Sequence, residues 1–226
     1  MHPRGSSVSF LVERPRDHPW LRAAVWAFDA RLRLRYGVRE YSPRPDCMFR
    51  IQVTRAAADL TLSDGTRLRA GDRLIDLHVW NEQFPRVAAR GPTLGWAARI
   101  NRSMELSLRE LASHLDRCGL DDVAAIRANM GIGPDEERRR FARFMARFGF
   151  EAMPAREPMS LAERMHRLGE NILICAMVLA RNPAAFRPSF LLRGRLEMLL
   201  SRRGLEEHYG LRGRAKERPH GEGPRA

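Results

Sequence analysis

Residues 74 to 85 read LIDLHVWNEQFP, a strand-like apolar alternation that brings Asp76, His78, Trp80, Asn81 and Glu82 together in one short span. A carboxylate beside an imidazole can raise its pKa and fix its tautomer, which is the arrangement a general base requires. His78 is therefore a candidate acid or base, with Asp76 as its partner and Glu82 as a second acid. Trp80 and Asn81 are candidate ligand contacts. Strand alternation places Leu74, Asp76, His78 and Trp80 on one face and Ile75, Leu77 and Val79 on the other, toward the core. A structural use of the same residues is equally physical. Such a histidine can pack under a helix while hydrogen-bonding nearby groups, and Asn81-Glu82 can satisfy amides at the strand end. No nucleophile is tied to His78 by spacing, so a ligand-binding face ranks ahead of a catalytic one.

Other chemistry finds less support. The seven histidines form no HxH or HExxH pattern, and Cys47, Cys118 and Cys175 form no CxxC, so no metal site is indicated, and the sequence leaves any cofactor unknown. NMGIGPDEE offers glycines at a helix start, but Asp135, Glu136 and Glu137 occupy the place an anion would take. His114 and Cys118 lie one helical turn apart and read as a packed pair. Arg31 and Arg35 share a face of the first helix, where they form either a solvated surface or an anion grip for a ligand. Asp29 is spaced to pair with Arg33.

These side chains need elements to position them. WLRAAVWAFDARLRLRY, stopped by Gly37, is an amphipathic helix. CMFRIQV alternates with Cys47, Phe49, Ile51 and Val53 on one side, Asp64-Gly65 marks a hairpin, and Ala70-Gly71-Asp72 turns the chain into RLIDLHVW. From Thr93, the three-and-four spacing of Trp96, Ile100, Met104, Leu108, Leu111 and Leu115 predicts one long helix up to Gly119. DDVAAIRA is expected to form a short helix, DEERRRFARFMARF another, and Phe150 to Pro154 a short strand. NMGI, helix and FEAM then make a crossover between two strands. Ser160 to Glu163 fits a capping box, and Leu161, Met165, Leu168, Ile172, Cys175 and Leu179 repeat in a near-heptad step. Residues 172 to 180 are apolar nearly all round, so this helix is either central in the core or covered by another molecule.

The expected fold is α+β: a small, mostly antiparallel sheet with a hairpin, spanning about residues 47–80 and packed against several helices. A single α+β domain is expected over residues 1–188. FLLRGRLEMLLSRR suggests a basic amphipathic helix over residues 189–210, and residues 211–226 a disordered basic tail. Arg193, Arg195, Arg202 and Arg203 on that helix would meet an anionic membrane surface or a partner groove.

At 226 residues the core does not depend on disulfides or metal. Scattered cysteines suit a reducing compartment. The longest apolar run, ILICAMVLA, is about half of the roughly 20 residues a membrane-spanning helix needs. The expected location is cytoplasmic, peripheral to the inner membrane. The net charge of +13 favours polyanions. Without a helix-turn-helix or RNP-like signature, a specific nucleic-acid role ranks third.

FRIQVTR, LTLSDGTRLRAGDRLIDLHVWNE and FGFEAMPAREP together resemble the YkoP-like domain of bacteria, over roughly residues 20 to 185. The LSDGT hairpin, the following Gly-Asp, and then Leu-His and an Asn carry the resemblance most specifically. It implies a small α+β protein, often encoded beside or fused to polysaccharide deacetylases, with no activity, cofactor or catalytic residue to transfer. The reading is therefore an accessory domain binding an anionic glycan or lipid intermediate, or an envelope enzyme such as a polysaccharide deacetylase. An enzyme acting on such an intermediate through His78 is the alternative.

Overall fold

The computed structural model describes residues 19–80, 82–85, 91–133, 135–154, 160–181 and 186–210. The chain begins with helix α1 (Pro19–Tyr36). Strand β1 (Phe49–Arg55), the short hairpin strands β2 (Leu60–Thr61) and β3 (Arg67–Leu68), and β4 (Arg73–Val79) follow. Then come α2 (Leu94–Arg117), β5 (Val123–Ile132), α3 (Asp135–Ala146) and β6 (Glu151–Ala152). The chain continues with α4 (Leu161–Arg181), a 3-10 turn (Pro188–Leu192), β7 (Gly194–Ser201) and α5 (Arg202–Tyr209). Among the described residues no helix is long and apolar enough to cross a membrane.

Five strands form one mixed sheet in the order β1-β4-β5-β7-β6, and β2 and β3 form a separate hairpin. The β4–β5 pairing is parallel and the other three pairings are antiparallel. The fold is thus α+β with a mostly antiparallel sheet, as expected. Both β5 and β6 run antiparallel to β7, so β5, α3 and β6 make the anticipated crossover, with β7 standing in its gap.

Strand parity sets the two faces. Ile51 opposes Leu77, Val53 opposes Ile75, Ile75 lies beside Ile126, and Ala128 opposes Met198. These side chains build the core with Met104, Leu108, Leu111 and Leu115 of α2, Met145 of α3 and Leu205 of α5. The inward placement of Ile75, Leu77 and Val79 read from alternation holds, since all three belong to this core or pack against it. Helix α2 is positioned at its start by Thr93, whose hydroxyl accepts from the Trp96 amide at 3.2 Å. Farther along, Ser107 receives the Met48 amide at 2.9 Å and fixes the helix to the edge of the sheet.

The opposite face is divided. One half is apolar: Leu74, Ala125 and Leu199 are covered by Leu62 and Leu68 of the hairpin. Asp64, at the hairpin tip, accepts from the Ser201 hydroxyl at 2.6 Å and locks this cover onto the end of β7. The other half is polar and lies toward α4.

Two expected helices are strands. DDVAAIRA is largely β5, an interior strand buried on both faces; such a strand reads as a short continuous apolar run that helical spacing fits equally well. The basic amphipathic helix expected over residues 189–210 is a 3-10 turn, then β7, then the short α5. Leu196, Met198 and Leu200 alternate into the core while Arg195 and Glu197 alternate out of it, a period of two rather than 3.6. The sequence expected to lie apart from the α+β domain thus supplies an interior strand of its sheet. The tail from residue 211, expected to be disordered, lies outside the described residues.

Candidate functional site

The polar half of the sheet carries the residues singled out from LIDLHVWNEQFP and their cross-strand neighbours. His78 pairs in register with Arg50, Gln52 with Asp76, and Asp76 with Arg127 on the next strand. The half-buried His78 places Nε2 3.0 Å from the Gln52 Oε1 atom. That oxygen only accepts, so Nε2 carries the proton and Nδ1 is left as the acceptor. Burial lowers the His78 pKa and outweighs the nearby carboxylates Asp76, Glu170 and Asp29, which act to raise it.

Asp76 does not pair with His78. Its two oxygens accept from Nε and Nη2 of Arg127 at 2.6 and 2.7 Å, a bidentate bridge that also involves Thr54 at 3.4 Å and Glu197 at 3.7 Å. The carboxylate needed for a His-Asp dyad thus serves a neighbouring strand. Trp80 is buried beneath the Arg50 guanidinium, which stacks 4.5 Å from its ring centre. Arg50 itself, with a side chain 7% exposed, is held between Glu40 at 3.2 Å and Glu82 at 3.3 Å. Trp80 and Glu82 therefore belong to one interlocked cluster around Arg50. Asn81 lies outside the described residues.

The remaining candidates do not join His78. Arg31 and Arg35 are exposed on α1, and this helix acts on His78 through Asp29 instead. Asp29 forms the expected pair with Arg33 at 3.0 Å. Arg202 pairs with Asp116 and Glu206, and Arg203 with Asp64 and Glu207. Arg193 stacks on Phe190 at 3.8 Å, and Arg195 pairs with Glu170 at 2.7 Å. The four arginines expected to share one membrane-facing helix are distributed over two elements and a turn, each bound to carboxylates or a ring.

A cavity of about 490 Å³ opens where the polar half of the sheet meets α4. Asn129 and Arg195 line it from β5 and β7, and Glu163, His166, Arg167 and Glu170 from α4. Glu170 joins the two layers: one oxygen lies 3.4 Å from His166 Nε2 and the other accepts from Arg195. The Arg195 guanidinium reaches over Gly131, its cross-strand partner, where a Cβ would come within 2.6 Å of its Nη1 atom. His78 stands one strand from Asn129 on the same face, beside the cavity rather than in its lining.

Reasoning from sequence missed Asn129, His166 and Glu170, and gave Arg195 to a membrane or partner contact on an expected helix. For Asn129 and Arg195 the overlooked signal was the period-two alternation of their strands. For His166 and Glu170 it was their position one turn apart on the polar side of α4. Among the described residues, no group of three or more His, Cys, Asp or Glu side chains is arranged to hold a metal ion.

The YkoP domain family model matches residues 23–186. No curated protein is significantly similar to the chain. The same is true of the solved structures. The matched span runs from within α1 through the end of α4, including the hairpin and the polar strand that carries His78, and the chain belongs to the YkoP domain family.

Proposed function

We propose that this protein is an accessory binding domain that takes a hydroxyl-rich, anionic glycan or glycolipid intermediate of the cell envelope into the cavity between the sheet and α4. The observation that carries the reading is the mixed lining of that cavity. Glu163 and Glu170 accept hydrogen bonds, Arg167 and Arg195 donate, and Asn129 and His166 do both. Sugar hydroxyls need donors and acceptors side by side, while an anionic substituent suits the two guanidiniums. A site for a bare polyanion would not place two carboxylates among its arginines. The cell-envelope setting extends the family resemblance to polysaccharide deacetylase neighbours.

Calorimetric titration with neutral and uronate-bearing oligosaccharides tests this reading. Binding should favour the acidic series, and Asn129→Ala or His166→Ala should each weaken it about tenfold, roughly the loss of one good hydrogen bond. Absence of binding in both series, or affinities unmoved by both substitutions, would overturn the assignment.

A further inference from the structure

Helix α4 presents its apolar seam outward. Leu161, Met165, Leu168, Ile172, Cys175 and Leu179 are spaced by four, three, four, three and four residues, the a/d repeat of a helix that packs against another helix. Of these, only Cys175 is buried; Leu161 is 76% exposed, and Met165, Leu168, Ile172 and Leu179 are also exposed. The patch extends beyond the seam. Every large exposed apolar side chain among the described residues except Leu94 lies on α1, α4 or the 3-10 turn, and α4 packs against both of the others. The exposed side chains of α4 and the 3-10 turn alone present on the order of several hundred Å², approaching the roughly 800 Å² that each partner contributes to a stable interface.

We propose that this face is the subunit interface of a homodimer in which α4 packs antiparallel on α4 of a second copy. The seam is complementary to itself in that direction. Centred near Glu170, an antiparallel pair sets Leu161 against Leu179 of the second copy and Leu168 against Ile172, with Met165 over the position of the buried Cys175, and the two-fold repeats each layer. Charge favours that direction. Of the charged residues between Leu161 and Ala180, Glu163, Arg167 and Glu170 line the cavity on the other side, and Arg164 alone flanks the seam. Parallel pairing would bring Arg164 toward its own copy, whereas antiparallel pairing sets it against the apolar second half of the partner helix. The seam and the ligand cavity use different sides of α4, so the interface leaves the cavity lining in place.

Sedimentation velocity of the full chain tests the proposal. The expected mass is twice 25.9 kDa, falling to a single chain in Leu168→Glu/Ile172→Glu with an unchanged far-ultraviolet circular dichroism spectrum. In a Cys118→Ser background, a mixture of Leu161→Cys and Leu179→Cys chains should give a mixed disulfide dimer on oxidation, at higher yield than either chain alone. A wild-type chain that stays monomeric across the concentration range would overturn the proposal, as would a double variant that stays dimeric. Homodisulfides forming as readily as mixed ones would overturn the antiparallel direction. If deletion of residues 1–18 turned a monomer into a dimer, the occupant would be this chain's own leading segment instead of a second copy.

Discussion

His78 sits on a polar sheet face with its ring half-buried and Nε2 held by Gln52, and burial keeps its pKa below the ordinary value. A histidine whose folded pKa lies below its unfolded one takes up its proton more readily in the unfolded chain. Stability should therefore be unaffected by this group above the reference value of 6.5 and decline as pH falls below it toward the folded pKa. Urea midpoints across this range should fall with pH in the wild type more steeply than in His78→Gln; parallel curves would refute a buried neutral imidazole. The Arg127–Asp76 bridge makes a second residue-scale prediction. Both side chains are about one-fifth exposed, and Arg127→Met strands a carboxylate on the sheet, which should cost about 2–3 kcal/mol. Adding Asp76→Leu should recover most of that loss, because replacing both partners leaves no unpaired charge. Equal destabilisation in the single and double variants would show that the bridge is not the cause. His78 and Asp76 were legible as polar residues on the face away from the core. That the two would not pair with each other was not legible, because the guanidinium that claims Asp76 comes from a strand 51 residues away in sequence.

At the scale of elements, sequence pattern worked where one face is buried and failed where both are. The alternation in FRIQVTR and RLIDLHV and the stripe of α2 have a single orientation that satisfies them, and each element forms where expected. β5 and β7 are interior strands, and under the hairpin the start of β5 and the end of β7 are buried on both sides, so those apolar runs carry little periodicity. The same misreading of β7 gave the chain a basic surface helix, although RLEM already alternates. The family match ends at residue 186, yet β7 lies beyond it, between β5 and β6. Removing residues 187–226 should therefore abolish cooperative unfolding, since β5 and β6 lose their shared neighbour and the core loses Leu196, Met198, Leu200 and Leu205. A sharp thermal transition in the shortened chain would contradict this account of the sheet.

Over the whole molecule, the divided outer face separates three tasks. The hairpin seals the apolar half of the sheet, α4 leaves an open groove of mixed lining over the other half, and the far side of α4 carries the apolar seam. The net charge of +13 does not by itself locate an anion site, because many of its arginines are tied to carboxylates inside the fold. The position of β7 also orders events during synthesis. A nascent chain emerging from the ribosome completes β1, β4, β5 and β6 well before β7, and it must hold open the gap between β5 and β6 until residues 194–201 appear. The Ser201–Asp64 bond then closes a loop of 137 residues. Final assembly of the sheet thus waits for one of the last segments made, which gives this small domain a high contact order and a long interval with unpaired strand edges exposed to other chains.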